Sequence, residues 1–66
     1  MSAAQYLYKR FELPWNGKLV EVRKVQEGLR PEVVVREVDA DDRLTTSEYS
    51  LRLDFLLQRA RAVRYG

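Results

Sequence analysis

Residues 14–17, Pro-Trp-Asn-Gly, sit between two segments of alternating hydrophobicity, and this placement constrains the fold more than any other feature of the chain. Proline presets φ for the first corner of a reversal, and Asn-Gly readily takes the positive φ values that a tight turn demands. Two strands are expected to meet there. The upstream segment, residues 6–13 (YLYKRFEL), reads as a strand with Leu7, Phe11 and Leu13 on one face and Tyr6, Tyr8 and Arg10 on the other. A helix is the competing reading, because Ser2 and Gln5 fit a capping box; the two tyrosines and the turn that follows favour the strand. Downstream, residues 18–25 (KLVEVRKV) place Val20 and Val22 on one face and Glu21 and Arg23 on the other.

The polar stretch 26–31 (QEGLRP) ends in a proline, which cannot donate to a sheet ladder and therefore belongs at or before the start of the next strand. Residues 32–38 (EVVVREV) form that strand, and the three consecutive valines imply burial on both faces or an apolar patch left for a partner. Asp39, Ala40, Asp41 and Asp42 follow as a loop. The last third satisfies two templates. With period two, Tyr49, Leu51, Leu53 and Phe55 share a face; at 100° per residue, Tyr49, Leu53, Leu56, Ala60 and Val63 form a stripe, with Thr45 and Glu48 as a capping box. Thr45, Thr46 and Ser47 are poor helix-interior residues, so the segment divides into a fourth strand over 43–50 and a helix that starts near Leu53 or Asp54. Asp54 is the expected cap, and Arg59, Arg61 and Arg64 put positive charge where the helix dipole favours it.

The expected architecture is a single small α+β domain over 1–66: a small antiparallel β-meander of three or four strands with a C-terminal α-helix packed on one face. Its expected core is Leu7, Phe11, Leu13, Val20, Val22, Val33, Val35, Leu53, Leu56, Leu57 and Ala60. With 66 residues there is room for one core only.

The same shortness, together with the absence of both histidine and cysteine, removes disulfides, thiolate nucleophiles, the usual zinc sets and the common general base of neutral-pH catalysis. An enzyme is not expected, and neither is a cofactor. The aspartate-rich loop gathers oxygen ligands, but an EF-hand starting at Asp39 would need an oxygen ligand, glycine and glutamate where Arg43, Leu44 and Ser50 stand. Aspartate's preference for turns explains the loop without a metal. Glu21 and Glu37 approach across neighbouring strands, yet Glu37 has Arg36 beside it in sequence and Glu21 has Arg23 two residues on, so ion pairing is the expected role. No uninterrupted apolar run exceeds three residues, so no membrane span or secretory segment is expected and a cytoplasmic location is the default.

Two functional readings remain. The first is a nucleic-acid-binding module. The outward sheet face would present Tyr8, Arg10, Arg23 and Arg36, aromatic planes beside guanidinium groups. Three strands followed by a helix is, in element order, similar to the plant AP2-type and phage integrase arm-binding domains, and that resemblance implies a sheet face laid on DNA. Against it, Glu12, Glu21 and Glu37 interleave with the arginines, and the net charge is only +2. The second reading, which is favoured, is a small non-enzymatic protein-interaction module: an accessory or regulatory subunit acting as a homodimer or docked on a larger partner. Its expected contact residues are Trp15, Val34, Leu51 and Phe55. An indole in a turn suits a binding hot spot, and a helix apolar on two sides must hide both.

Overall fold

A computed structural model of the chain describes residues 3–63. A short 3-10 helix at Ala3–Tyr6 precedes β1 (Arg10–Glu12), β2 (Leu19–Gln26), β3 (Glu32–Val38), β4 (Leu44–Arg52), α1 (Leu53–Arg59) and β5 (Arg61–Val63). The strands make one antiparallel sheet in the order β4-β3-β2-β1-β5. This is the α+β meander with a helix on one face, extended by a fifth strand beyond the helix.

The Pro-Trp-Asn-Gly segment turns the chain between β1 and β2. Leu13 donates its N–H to the Lys18 carbonyl (2.8 Å), and its own carbonyl accepts from the Gly17 N–H (2.8 Å). Gly17 lies at φ 67°, and the Asn16 Oδ1 accepts from the Lys18 N–H at 2.9 Å. Beyond it the alternation of β2 and β3 puts Val20, Val22, Val33 and Val35 on one face, all fully buried, with Phe11 and Leu13 beside them. Leu53 and Leu56 of α1 close over this floor, and Ala3 seals its side. The opposite face is polar apart from Val34 and a row at one end, where Leu19, Val38 and Leu44 stand in register. Val38 is buried there without belonging to the main core.

Several expectations are corrected. The strand over residues 6–13 shrinks to Arg10–Glu12: Tyr6 ends the 3-10 helix and Tyr8 takes φ 66°, which breaks the extended run. The core face of that segment carries Lys9 between Leu7 and Phe11, so its alternation never reached further back, and Leu7 only packs against the rim of the core. The helix stops at Arg59, although residues 60–63 contain no helix breaker, because pairing Ala62 with Phe11 and Arg61 with Glu12 adds a strand to the free edge of β1. Arg64 lies outside the described residues. The cap is Arg52, with no side-chain capping bond; Asp54 sits inside the first turn, where its carboxylate accepts from the Phe55 N–H and pairs with Arg52 at 2.7 Å. Leu57 is 43% exposed and Ala60 only partly buried, because a seven-residue helix turns too narrow a stripe toward the sheet to cover both.

Four antiparallel steps separate β4 from β5, so these outermost strands run in the same direction and α1 must carry the chain across the core face from one edge to the other. In a flat sheet they would be about 19 Å apart, whereas seven helical residues span about 10 Å. The sheet therefore coils toward the helix. Register shifts between Val22 and Lys24 and between Arg36 and Val38 supply the extra twist.

Leu56 joins the two layers and is fully buried. Leu56→Ala is expected to destabilise the domain by about 2–5 kcal/mol and Leu57→Ala by less than about 1 kcal/mol, measured by chemical denaturation.

Candidate functional site

The polar face is organised by one row of residues that crosses four strands in register: Arg10 of β1, Glu21 of β2, Arg36 of β3 and Glu48 of β4. Charge alternates along it. The Arg10 Nε donates to the Glu21 Oε1 at 2.9 Å, and the Arg36 Nη2 to the Glu48 Oε2 at 2.7 Å. Arg23, displaced by the bulge in β2, reaches the other Glu21 oxygen at 2.5 Å and holds its guanidinium 5.1 Å from the centre of the Tyr8 ring. Asp42, from the β3–β4 turn, pairs with Arg10. Glu21 is the one buried charged residue among those described, and it is flanked by two arginines.

The structure thus brings Tyr8, Arg10 and Arg23 together and places Arg36 one strand further along the same face. Each of the three arginines is engaged by a carboxylate, so a phosphate would have to displace a partner already in place. The aspartate-rich turn is held by its own backbone: the Asp39 Oδ1 accepts from the N–H groups of Asp41 and Arg43 at 2.9 and 3.0 Å. Among the described residues, no three acidic side chains are grouped to hold a metal ion, and no helix is long and apolar enough to cross a membrane. Glu21 and Glu37 do not meet. Register sets Glu21 opposite Arg36 and puts Glu37 opposite Val20, on the face that carries the helix.

The second surface lies on that helix side. Trp15 leans from the β1–β2 turn onto Phe55 of α1, with ring centroids 5.3 Å apart and planes tilted by 43°. Both rings remain open to solvent, Trp15 by 48% and Phe55 by 41%. The Arg59 guanidinium lies 5.7 Å from the Phe55 ring centre, one helical turn on. Of the four expected contact residues, these two come together. Leu51 instead packs half-buried against the core, and Val34 sits half-buried on the opposite face of the sheet.

Two shallow grooves flank the other side of the helix. The larger, about 630 Å³, is lined by Tyr6, Tyr8, Phe11, Leu57, Ala60 and Val63 among others. The smaller, about 400 Å³, runs past Ala3, Glu27, Pro31 and Leu57. Neither gathers a nucleophile with an acid–base partner. The sequence reasoning missed Arg59 over Phe55, which the i, i+4 spacing offered, and the exposure of Leu57, which nothing in the pattern signals. It also missed Tyr49. That phenol donates to Glu37 at 3.4 Å, and its pKa is raised by burial, by the negative charge of Glu37 and by that hydrogen bond, against a smaller opposing effect of Asn16.

No protein-family model matches the chain, and no curated protein or solved structure is significantly similar to it.

Removing Glu21 takes a carboxylate from two arginines at once, Arg23 and Arg10, and the Arg10 side chain keeps only 15% of its exposure. Glu21→Ala is expected to cost about 2–3 kcal/mol and Glu48→Ala less than about 1 kcal/mol, read from denaturation midpoints at constant m. Tyr49 gives a pH dependence. Its raised pKa means that the fold prefers the neutral phenol, so this contribution is fully present below the ordinary tyrosine value and is lost as pH rises past about 10. Ultraviolet titration should show one tyrosine ionising late, and Tyr49→Phe should remove that phase and flatten the alkaline fall in stability.

Proposed function

We propose that this chain is a small non-enzymatic protein-interaction module, an accessory or regulatory subunit that docks on a larger protein through Trp15 and Phe55. The observation that carries this reading is the aromatic pair itself. Two large rings from separate elements pack against each other at a tilt yet keep nearly half their surface in water, although the domain has few large apolar side chains with which to fill a core. Aromatic side chains placed in this way are the usual anchors of protein interfaces. Arg59 refines the chemistry of the partner. A surface that covers Phe55 also covers the guanidinium beside it, and a desolvated arginine needs an acceptor, so the complementary patch is apolar with a carboxylate at its edge.

The arginines of the opposite face support this ranking over a nucleic-acid module, because their charge is spent within the sheet. Trp15 is the only tryptophan, so its fluorescence reports directly on the surface. A photo-crosslinking residue at exposed Gln58 should capture a defined protein partner, whose addition to the purified domain shifts Trp15 emission to the blue. Phe55→Ser should abolish both signals and Trp15→Ser, which leaves no tryptophan to report emission, should abolish the crosslink, each costing about 1 kcal/mol in stability. Salt-sensitive binding of random duplex or single-stranded DNA that disappears in Arg23→Ala and Arg36→Ala would reverse the ranking.

A further inference from the structure

We infer that the free edge of β4 pairs with the same edge of a second copy of this chain, antiparallel and centred on Ser50, so that two sheets join into one. The inference uses an edge that the aromatic surface does not use, and it stands independently of the docking proposal.

The direction of the backbone groups comes first. The Leu53 N–H donates to the Pro31 carbonyl at 2.9 Å, and these two residues continue the register in which Arg52 faces Glu32, Leu51 faces Val33, Ser50 faces Val34, Tyr49 faces Val35 and Glu48 faces Arg36. In an antiparallel ladder, hydrogen-bonded and non-bonded pairs alternate. Leu53, Leu51 and Tyr49 therefore bond inward to β3, while Glu48, Ser50 and Arg52 turn their N–H and C=O groups outward, where no described strand meets them. The register shift between Arg36 and Val38 interrupts the ladder before Glu48, and the helix begins at Leu53. The regular free edge is therefore residues 48–52.

The side chains then select the register. A two-fold axis in an antiparallel pair sets one residue opposite itself, at a bonded position (Glu48, Ser50 or Arg52) or at a non-bonded one (Tyr49 or Leu51). Centring on Tyr49 sets Glu48 against Ser50, and centring on Leu51 sets Arg52 against Ser50, so neither register joins a carboxylate to a guanidinium. Centring on Glu48 opposes two carboxylates, and centring on Arg52 opposes two guanidinium groups. Centring on Ser50 sets small against small on the axis, Glu48 against Arg52 of the second copy, and Arg52 against its Glu48; each contact extends an exposed ion pair of its own chain, Arg36–Glu48 or Arg52–Asp54, into a longer row of alternating charge without displacing either partner. Each of these pairs exchanges both backbone bonds. On the other face Tyr49 meets Leu51 of the second copy in the close, non-bonded spacing, which covers two side chains that one copy leaves half-buried. The regular segment 48–52 contains no proline or lysine, and the bulge of β4 lies outside it. The β5 edge is three residues long and cannot offer an equivalent.

Charge exchange tests the register. Sedimentation equilibrium of the wild-type chain should show a reversible dimer, and the Ser50 amide should exchange more slowly as concentration rises. Glu48→Arg alone and Arg52→Glu alone should each be monomeric, since each opposes like charges in both pairs. An equimolar mixture of the two variants should dimerise, as should the double variant E48R/R52E. Circular dichroism confirms that each variant is folded, and the mixture and the double variant restore the interface from the same substitutions that break it. A wild-type chain that stays monomeric up to about 1 mM overturns the proposal. So does a dimer that both single variants leave intact.

Discussion

A seven-residue helix has to roof a five-stranded sheet, and the contact of Leu53 and Leu56 with Val20, Val22, Val33 and Val35 is what makes the arrangement hold. These side chains are β-branched on the sheet and γ-branched on the helix, which suits a pleated floor under a narrow ridge. The roof covers the middle strands and little else. Tyr6, Leu7, Val25, Tyr49, Leu51 and Ala60 are left at its rim, packed on one side and wet on the other. The coil of the sheet follows from the same shortage, because β4 and β5 must approach closely enough for one short helix to connect them. Trp15, too, belongs to this economy: the turn that carries it leans over the open flank of the roof and stops on Phe55 rather than entering the core.

The other face has no roof, and charge takes the place of apolar packing. A row of Arg10, Glu21, Arg36 and Glu48 ties neighbouring strands by opposite charge, which opposes any one-residue slip because a slip would turn the row toward the valine floor. Its members are unequal. Arg36 and Glu48 are solvated and contribute little, whereas Glu21 is nearly sealed between Arg10 and Arg23 and depends on both for compensation. Asp42 extends the network from β1 to the β3–β4 turn, so the element that most resembled a cation loop in the sequence instead engages an arginine of the chain itself.

Where local chemistry and tertiary demand agree, the fold is legible from residues alone. Asn16-Gly17 marks the first reversal, Pro31 the entry to β3, and alternating valines the buried face; β2, β3, β4 and the start of α1 appear at their expected places within a residue or two. Legibility fails where a long-range contact outweighs local preference. Nothing in Arg61, Ala62 and Val63 distinguishes a strand from another turn of helix, and only the unpaired edge of β1 decides it. The same holds at the N-terminus, where Tyr8 in a left-handed conformation is fixed by its N–H bond to the Val22 carbonyl at 2.8 Å. The candidate contacts divide in the same way. Trp15 and Phe55 were recognisable as surplus apolar groups, but their mutual contact depends on how far the turn leans. Leu51 and Val34 stand on opposite faces of the sheet, each half-buried, Leu51 against the rim of the core.

The two edges of the sheet illustrate how a small domain manages exposed backbone. On the β1 side, the chain returns after the helix and caps the edge with three residues, two of whose positions are filled by arginine and alanine, offering a neighbour little length and little apolar surface. On the β4 side, the bulge takes residues 45–47 out of the regular ladder; there Thr45 donates to the Glu37 carbonyl at 3.0 Å and Ser47 bonds back to the Thr45 hydroxyl. A bulge of this kind re-aims the strand and blunts half of the edge. What it leaves regular, residues 48–52, carries a glutamate and an arginine equally spaced about a serine. Such spacing joins opposite charges at both positions only when the two copies are centred on the serine. An edge that both blunts one half and charges the other symmetrically favours a closed pair over an open-ended stack, because a second copy uses up the regular segment and leaves no equivalent edge for a third.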